Sequence, residues 1–520
     1  MTGAAPAAPK GNDLAALARG GRINFFGFLL RLIARLPFLF IAGRMYGPEA
    51  LGRFAYAVLV VELVAQLATL GLKRGLAEQL AKTDKPHVCV IWDALLLALL
   101  ASLTGMALLF LFPQAMFPNS EIHGLEWLLP VAVLALAWSE VMLAALAYRH
   151  DVGATVRARA IVEPWVLSLA ALGMAFVSKR DGLLFAYALS MVAALVASAI
   201  PFFRTYGRAH GWRPKPSESW RLARRYMPVA AADLVEWGSR RIDLAILGLF
   251  ATPTVVGIYY VAQNVASLPS KLKTSFDPIL GPVISRNLEA GDRLAVARQI
   301  RQVGFWIIAA QAAVALALGI PGEGVMGLVG PAFVAGTAAL AFLLAAEVIA
   351  ATATTSEAAL IYTARHRNMV LSLLMLAIQA ALTVALIPIM YEVGQTRWLA
   401  RFGSPEMWQA TAPAIALCLA LAFAAVTKAR LAGRILGEPV NGWRWPLLWA
   451  AAAGIVVGQL AILLPEWLEL SLGIPAILAA FGWVIWKKGF GPDDRLLFKM
   501  RKKDMAVDLP APGTTGDPAR

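Results

Sequence analysis

The run Arg22-Ile-Asn-Phe-Phe-Gly-Phe-Leu-Leu-Arg-Leu-Ile-Ala-Arg-Leu-Pro-Phe-Leu-Phe-Ile-Ala-Gly43 decides the fold. It reads as a helix long enough to cross about 30 Å of hydrocarbon. Arg31 and Arg35 lie inside it, and a spacing of four puts both guanidinium groups on one helical face. An arginine at hydrocarbon depth costs at least about 2.5–3.5 kcal/mol by insertion scales. Two such charges are expected to face a water-filled interior, and a basic interior suits an anionic cargo. The competing reading for Arg31 is snorkelling to the cytoplasmic interface; Arg35 lies too deep for that.

The rest of the chain repeats the pattern. Of 520 residues, 59% are hydrophobic and 15% charged, against roughly 25% charged in soluble domains. The mean hydropathy is +0.67. Apolar runs of about 20 residues recur from end to end. The fold class is therefore an all-α polytopic membrane protein with about 14 transmembrane helices. Spans are expected near 22–45, 54–72, 88–112, 126–147, 160–177, 183–203, 227–250, 256–283, 302–320, 332–362, 368–390, 408–427, 446–464 and 468–486. The first 20 residues lack the pattern of a secretory signal.

The basic residues test this count through the positive-inside rule. With both termini cytoplasmic, the cytoplasmic segments hold 35 of the 47 Lys and Arg. The opposite side holds 6 and the spans hold 6. The net charge of +15 is thus mostly topology. Basic loops of this kind anchor to anionic lipid at the bilayer surface, and no nucleic-acid partner is expected.

An internal repeat organises the spans. Gly43, Pro48, Gly52 and Phe54 meet Gly248, Pro253, Gly257 and Tyr259 at a constant offset of 205. A second echo joins Ala144-Ala-Leu-Ala-Tyr148 to Ala358-Ala-Leu-Ile-Tyr362. Six spans separate matching elements, and an even number preserves direction. The repeats are therefore parallel, about an axis along the membrane normal. The expected division is a cytoplasmic tail over 1–21, a six-helix lobe over 22–203 and a basic cytoplasmic linker over 204–226. A second six-helix lobe follows over 227–427, then two additional helices over 446–486. A cytoplasmic tail fills 487–520 and is expected to be disordered beyond Met505.

The repeat gives the polar residues their meaning. Arg35 falls on Arg240 and Arg31 on Glu236. In the seventh span Asp233, Glu236, Arg240 and Asp243 are spaced 3, 4 and 3, one face of a helix, with Arg241 beside them. The second span carries Glu62, Gln66, Thr69 and Lys73; the eighth carries Asn264, Ser267, Lys271 and Thr274. Polar stripes at membrane depth must face another helix or water. They read as the lining of a hydrated cavity between the halves, with internal ion pairing, such as Arg240 with Glu236 or Asp243, as the alternative. Asp93, Glu140, Glu347 and Glu357 are isolated carboxylates at membrane depth, candidates for ion coupling or for helix-end pairing. Pro37, Pro269, Pro278 and Pro282 interrupt the first and eighth spans, either as static kinks or as points of bending.

Soluble-type chemistry has no footing. Cys89 and Cys418 are isolated and fall in or beside apolar segments, and no His, Cys or carboxylate cluster has metal-ligand spacing. There is no Gly-rich phosphate loop and no nucleophile elbow. Neither a cofactor nor an enzymatic activity is expected.

With Arg44-Met-Tyr-Gly-Pro-Glu-Ala-Leu-Gly-Arg-Phe-Ala-Tyr56 between the first two spans, the chain resembles the polysaccharide-biosynthesis, or O-antigen, flippases of the Wzx type. These belong to the multidrug, oligosaccharidyl-lipid and polysaccharide exporter superfamily. Val256-Gly-Ile-Tyr-Tyr-Val-Ala-Gln263, with Ser267-Leu-Pro269 and Pro282-Val-Ile-Ser285, looks like that family's eighth span. The resemblance covers most of 20–430 and is weakest in the last two helices. It implies a transporter that moves a polyprenyl-pyrophosphate-linked oligosaccharide across a bacterial inner membrane, with two lobes alternating around a cationic cavity. It also implies that a polysaccharide polymerase and a chain-length regulator are among its partners. On this chain the cationic role falls on Arg31, Arg35, Arg240, Arg241 and Lys271. Two rivals share the superfamily. A lipid II flippase differs only in cargo, and a drug/cation antiporter usually has twelve spans and a cargo that this cavity would repel.

Overall fold

In the computed structural model the chain is described over residues 36–207, 212–239, 241–273, 284–285, 287–396 and 404–491, the side chains of 216 and 271–273 excepted. Within these residues every regular element is helical. The main helices are α1 (Gly47–Ala68), α2 (Leu72–Ala81), α3 (His87–Leu111), α4 (Val131–Tyr148), α5 (Glu163–Met174), α6 (Gly182–Tyr206), α7 (Pro216–Ser239) and α8 (Ile242–Phe250). They continue with α9 (Pro253–Lys273), α10 (Arg293–Gly319), α11 (Gly322–Val329), α12 (Thr337–Thr363), α13 (Arg365–Gly394), α14 (Pro405–Leu436), α15 (Pro446–Ala461) and α16 (Ile474–Val484). Among the described residues nine helical segments are long and apolar enough to cross a membrane, and Pro446–Ala461 is apolar but shorter. The expected spans fall on helix to within a few residues, apart from the parts of the first and eighth that lie outside the described residues.

Three departures have physical causes. First, helices outrun the apolar stretches that announce them. α14 continues to Leu436 and α7 begins at Pro216, both inside segments expected as loops. Hydropathy marks where hydrocarbon is crossed, whereas Ala, Leu and Arg keep propagating the helix beyond it. Second, the second span is α1, 47–68, and the following loop is a short helix, α2. Leu70 (φ 49°) and Gly71 (φ 73°) form a left-handed turn between them, a conformation that glycine adopts without strain. Third, the seventh span is not one helix. It stops at Ser239 and restarts at Ile242, with Arg241 at φ −137°, ψ 0° in the break. The predicted 3-4-3 face therefore does not run continuously from Asp233 to Asp243.

The chain forms two compact units. Of the described residues, one gathers those up to Val265 with Met326–Phe342 and Leu376–Leu417; the other gathers those in Ala266–Val325, in Leu343–Met375 and from Cys418 on. In the first unit, Leu72, Leu76, Ile91, Leu95, Met142, Leu146 and Phe202 form one buried cluster across α2, α3, α4 and α6. In the second, Phe305, Ile307, Ile308, Leu447, Phe481 and Ile485 pack α10 against α15 and α16. Close helix packing in a membrane relies on small residues. α14 follows that rule with Ala416, Ala420 and Ala424 spaced by four, all fully buried.

One contact ties the fold to the repeat. A methyl on Gly52 would meet the Pro253 carbonyl and the Gly257 amide; a methyl on Gly257 would meet the Pro48 carbonyl and the Gly52 amide. Gly52 pairs with Gly257, and Pro48 with Pro253, at the repeat offset. Each glycine touches the counterpart of its own proline. That reciprocity is what a local two-fold relation produces.

Candidate functional site

Ion pairs in the first unit collect the polar residues of α1, α2, α4, α7 and α8. Arg241, in the break between α7 and α8, reaches Glu62 on α1, with Nη2 to Oε2 at 2.9 Å. Its guanidinium lies 5.3 Å from the centre of the Trp237 ring. The main chain is fixed there as well: the Arg241 amide donates to the Gly238 carbonyl at 3.0 Å, and Ala245 N–H donates to the Arg241 carbonyl at 2.9 Å. In interrupted membrane helices the N-terminus of a half-helix can face an anionic group, and Arg241 stands at that end of α8.

The remaining lining residues have definite places. Asp233 and Glu236 both pair with Arg74 of α2, at 3.0 and 2.7 Å. Gln66 is half-buried; Thr69 is buried and its hydroxyl donates to the Gln66 carbonyl at 2.7 Å. Asn264 donates to the Tyr260 carbonyl at 2.8 Å, and Ser267 is half-buried on α9. Asp243 is buried at the start of α8. There it accepts from the Tyr259 hydroxyl at 2.6 Å, Gln263 Nε2 at 2.9 Å and the Leu244 amide at 2.8 Å. Arg31, Arg35, Arg240, Thr274 and the Lys271 side chain lie outside the described residues.

A second cluster sits around Arg159, which a π-helical turn, Val156–Val162, carries inward. Its guanidinium meets Glu140 at 2.7 Å and Glu163 at 2.9 Å and donates to Ser139 Oγ at 2.6 Å. Lys73 closes on Glu140 at 2.8 Å. The four charged groups, with Thr155 and Leu143, line a cavity of about 390 Å³. Among the described residues the hydroxyl of Tyr187 is buried without a hydrogen-bond partner. Glu62, Glu163, Arg159 and Arg241 all act on it electrostatically.

The other ion-coupling candidates lie elsewhere. Asp93 accepts from Trp212 Nε1 at 2.9 Å. Glu347 is half-buried on α12. In the second unit Glu357 pairs with Lys428 at 3.0 Å, and Lys428 also donates to Ser372 at 2.9 Å. Lys428 is 3% exposed, although its position suggested a loop cation.

A third assembly gathers residues expected on the external side. Arg53 is buried and bonded to Glu126, to Ser120 Oγ at 2.7 Å and to the Glu121 carbonyl at 3.2 Å, with Phe117 beneath its guanidinium. One residue farther back, Asn119 donates to the carbonyls of Gly248 at 3.0 Å and Ala251 at 2.9 Å, closing the C-terminus of α8. Asn119→Ala should lower the unfolding midpoint by a few degrees, since each lost bond is worth about 0.5–1.5 kcal/mol. A thermal melt of the purified protein checks this, and an unchanged midpoint counts against the cap.

Sequence reasoning placed Glu62 and Arg241 in one lining but missed Arg74, Arg159, Lys428 and Tyr187. Arg159 had a usable signal, its i,i+4 spacing to Glu163. Arg74 had one too, beside the end of the second-span stripe. Lys428 and Tyr187 had none, because their partners are distant in sequence.

These helices define an all-α multi-pass membrane protein. Among solved structures, the lipid II flippase MurJ in its inward closed conformation matches with a TM-score of 0.60 at 13% identity, over 89% of this chain and 98% of that one. An inward-facing MATE multidrug resistance transporter of the MOP superfamily also reaches 0.60, at 14% identity, over 78% and 94%. A MATE in complex with MaL6 reaches 0.51 at 15% identity, over 79% and 93%. At such identities the likeness establishes the fold alone. A comparison with curated proteins gives no match. The family model described as polysaccharide biosynthesis protein matches residues 41–318, and the chain belongs to that family.

Proposed function

We propose that this protein is a flippase, not an enzyme. Its cargo is a polyprenyl-pyrophosphate-linked oligosaccharide, the repeat unit of lipopolysaccharide O-antigen, exopolysaccharide or capsule. It carries the cargo from the cytoplasmic to the periplasmic leaflet of a bacterial inner membrane. The observation that carries this reading is Arg241, a cation held at a helix break between Trp237 and Glu62. Family membership supplies the polysaccharide context.

The physical account is short. A pyrophosphate in a low-dielectric passage needs counter-charge, and arginine forks bind phosphate oxygens bidentately. Arg31, Arg35, Arg240 and Lys271 would complete the cationic wall, with Gln66, Asn264 and Ser267 supplying polar contacts. The six-helix lobes over 22–203 and 227–427 would alternate around it while the lipid tail stays in the bilayer. The cargo crosses unchanged, so no bond is made or broken. Coupling falls to a carboxylate among Asp93, Glu140, Glu347 and Glu357, or to substrate supply alone. Both termini face the cytoplasm on this reading, and a polymerase and a chain-length regulator act on the product outside. The whole-chain likeness to MurJ favours lipid II as the second cargo to test.

The test is surface-polymer export in a deletion strain carrying wild-type protein or Arg241→Ala at equal abundance. Expected is lost polymer, with lipid-linked repeat units accumulating inside, rescued by wild type and not by the variant. Intact polymer with failing cell walls would select lipid II, and intact polymer with altered drug resistance would select an antiporter. Full rescue by Arg241→Ala would remove the cationic site.

A further inference from the structure

We infer that Glu62 is a built-in competitor for the cargo: it occupies Arg241 in the empty protein, yields it to the entering phosphate anion, and retakes it to drive release. The inference rests on the reading of Arg241 as a cargo-binding cation and concerns a residue that binds no cargo itself.

Three features of the pair support it. One carboxylate oxygen of Glu62 lies 2.9 Å from Arg241 Nη2, a contact that an anionic phosphate oxygen can also make. Both partners remain accessible, Glu62 at 25% and Arg241 at 37%, whereas Arg53 and its partner Glu126 are sealed at 4% and 0%. Both members of this pair therefore keep open surface at their contact, which Arg53 and Glu126 lack. Arg241 also stays in place when Glu62 leaves, because its main chain is bonded on both sides of the helix break and its guanidinium rests on Trp237.

The displaced carboxylate has a destination. An uncompensated charge at membrane depth is costly. Tyr187 offers a buried hydroxyl with no hydrogen-bond partner among the described residues, and Glu62 is one of the charged groups around it. A hydroxyl that donates to the freed carboxylate resolves both deficits. Arg159 and Glu163, also among the charges around that hydroxyl, are paired with each other, and Arg159 with Glu140 as well.

The consequence is a tuned affinity. A bare arginine would hold a multivalent anion tightly, and tight ground-state binding slows a transporter as it slows an enzyme. A resident carboxylate subtracts a fixed amount from every anion's binding and supplies the group that ejects it.

The experiment measures binding of sugar-free undecaprenyl pyrophosphate to the purified full-length protein, for wild type, Glu62→Gln, Arg241→Ala and the double variant. Glu62→Gln should bind about tenfold tighter, a gain of about 1.4 kcal/mol, while exporting more slowly in cells. Arg241→Ala should bind at least about tenfold weaker, and the double variant should match it, because the competitor acts only through Arg241. Equal or weaker binding by Glu62→Gln, or a gain that persists without Arg241, overturns the inference while leaving Arg241 as a cargo cation. Wild-type binding by Arg241→Ala overturns the cargo-cation reading itself. Should Glu62→Gln fail to accumulate, Tyr187→Phe carries the test. It should weaken binding about threefold, about 0.65 kcal/mol, by removing the partner of the displaced carboxylate, and unchanged binding overturns the inference.

Discussion

Gly52→Ala and Gly257→Ala should each lower the unfolding midpoint steeply and cut the abundance of the protein in membranes. A methyl at either position falls on main-chain atoms of the opposing helix, the carbonyl of Pro253 or of Pro48. Backbone cannot rotate away as a side chain can, so α1 and α9 must separate. Overpacking in a compliant core costs about 1–3 kcal/mol. A contact that forces two helices apart should reach about 3 kcal/mol or more, a large share of a typical 5–15 kcal/mol stability. The measurement is the thermal midpoint of detergent-solubilised protein, with abundance in membranes as a second readout.

The reciprocal geometry sharpens that expectation. Both substitutions open the same gap, so the double variant should lose less than the two single losses combined. Additive losses would mean two independent sites and would sink the reciprocity of the repeat contact. Gly173→Ala is the internal control. Nothing lies within 4 Å of the methyl it would add, and within helix α5 alanine is favoured over glycine by about 0.5–1 kcal/mol. Its midpoint should hold or rise.

The same glycines show what could be read from the chain. Glycine, proline and an aromatic recurring at a fixed offset is a pattern that survives in one dimension, because each residue type answers a local demand. The repeat glycines were visible as a periodicity, and the structure gives them a common cause, the close approach of two backbones. Span positions were equally legible, since hydrocarbon thickness imposes a length on every apolar run. Helix ends were not, because Arg293–Arg301 and Lys428–Leu436 propagate helix without being apolar.

The seventh span marks the limit. Spacing placed Asp233, Glu236 and Asp243 on one face under the assumption of a continuous helix. Nothing in Trp237-Gly-Ser-Arg-Arg-Ile242 compelled a break, although Gly238 and Ser239 are weak helix formers. Once the helix is broken, Asp243 turns to Tyr259 and Gln263, while Glu236 and Asp233 turn to Arg74. Ion-pair partners depend on which helices meet, and that is a property of the packing. Arg159 and Lys428 looked like loop cations for the same reason.

Replacing Arg159 should show how much such a hidden pair contributes. Arg159→Met leaves Glu140 and Glu163 on the wall of the cavity they line, where, among the described residues, Lys73 pairs with Glu140. Removing one partner of a buried ionic group typically costs about 3–5 kcal/mol, because the remaining charge has lost both water and its counter-ion. The thermal midpoint should fall steeply. Arg159→Lys should fall less, since a point charge can reach one carboxylate but cannot bridge two as the guanidinium fork does. Adding Glu140→Gln and Glu163→Gln to Arg159→Met should recover most of the loss, because a neutral replacement removes the uncompensated charges. If the triple variant stays as unstable as Arg159→Met, the arginine acts through packing of its stem instead. Export by the triple variant then separates structure from coupling. Restored stability with normal polymer would make the cluster a structural staple of the first unit. Restored stability without polymer would place Glu140 or Glu163 in the transport cycle, where a carboxylate that changes partners is what a coupling ion requires.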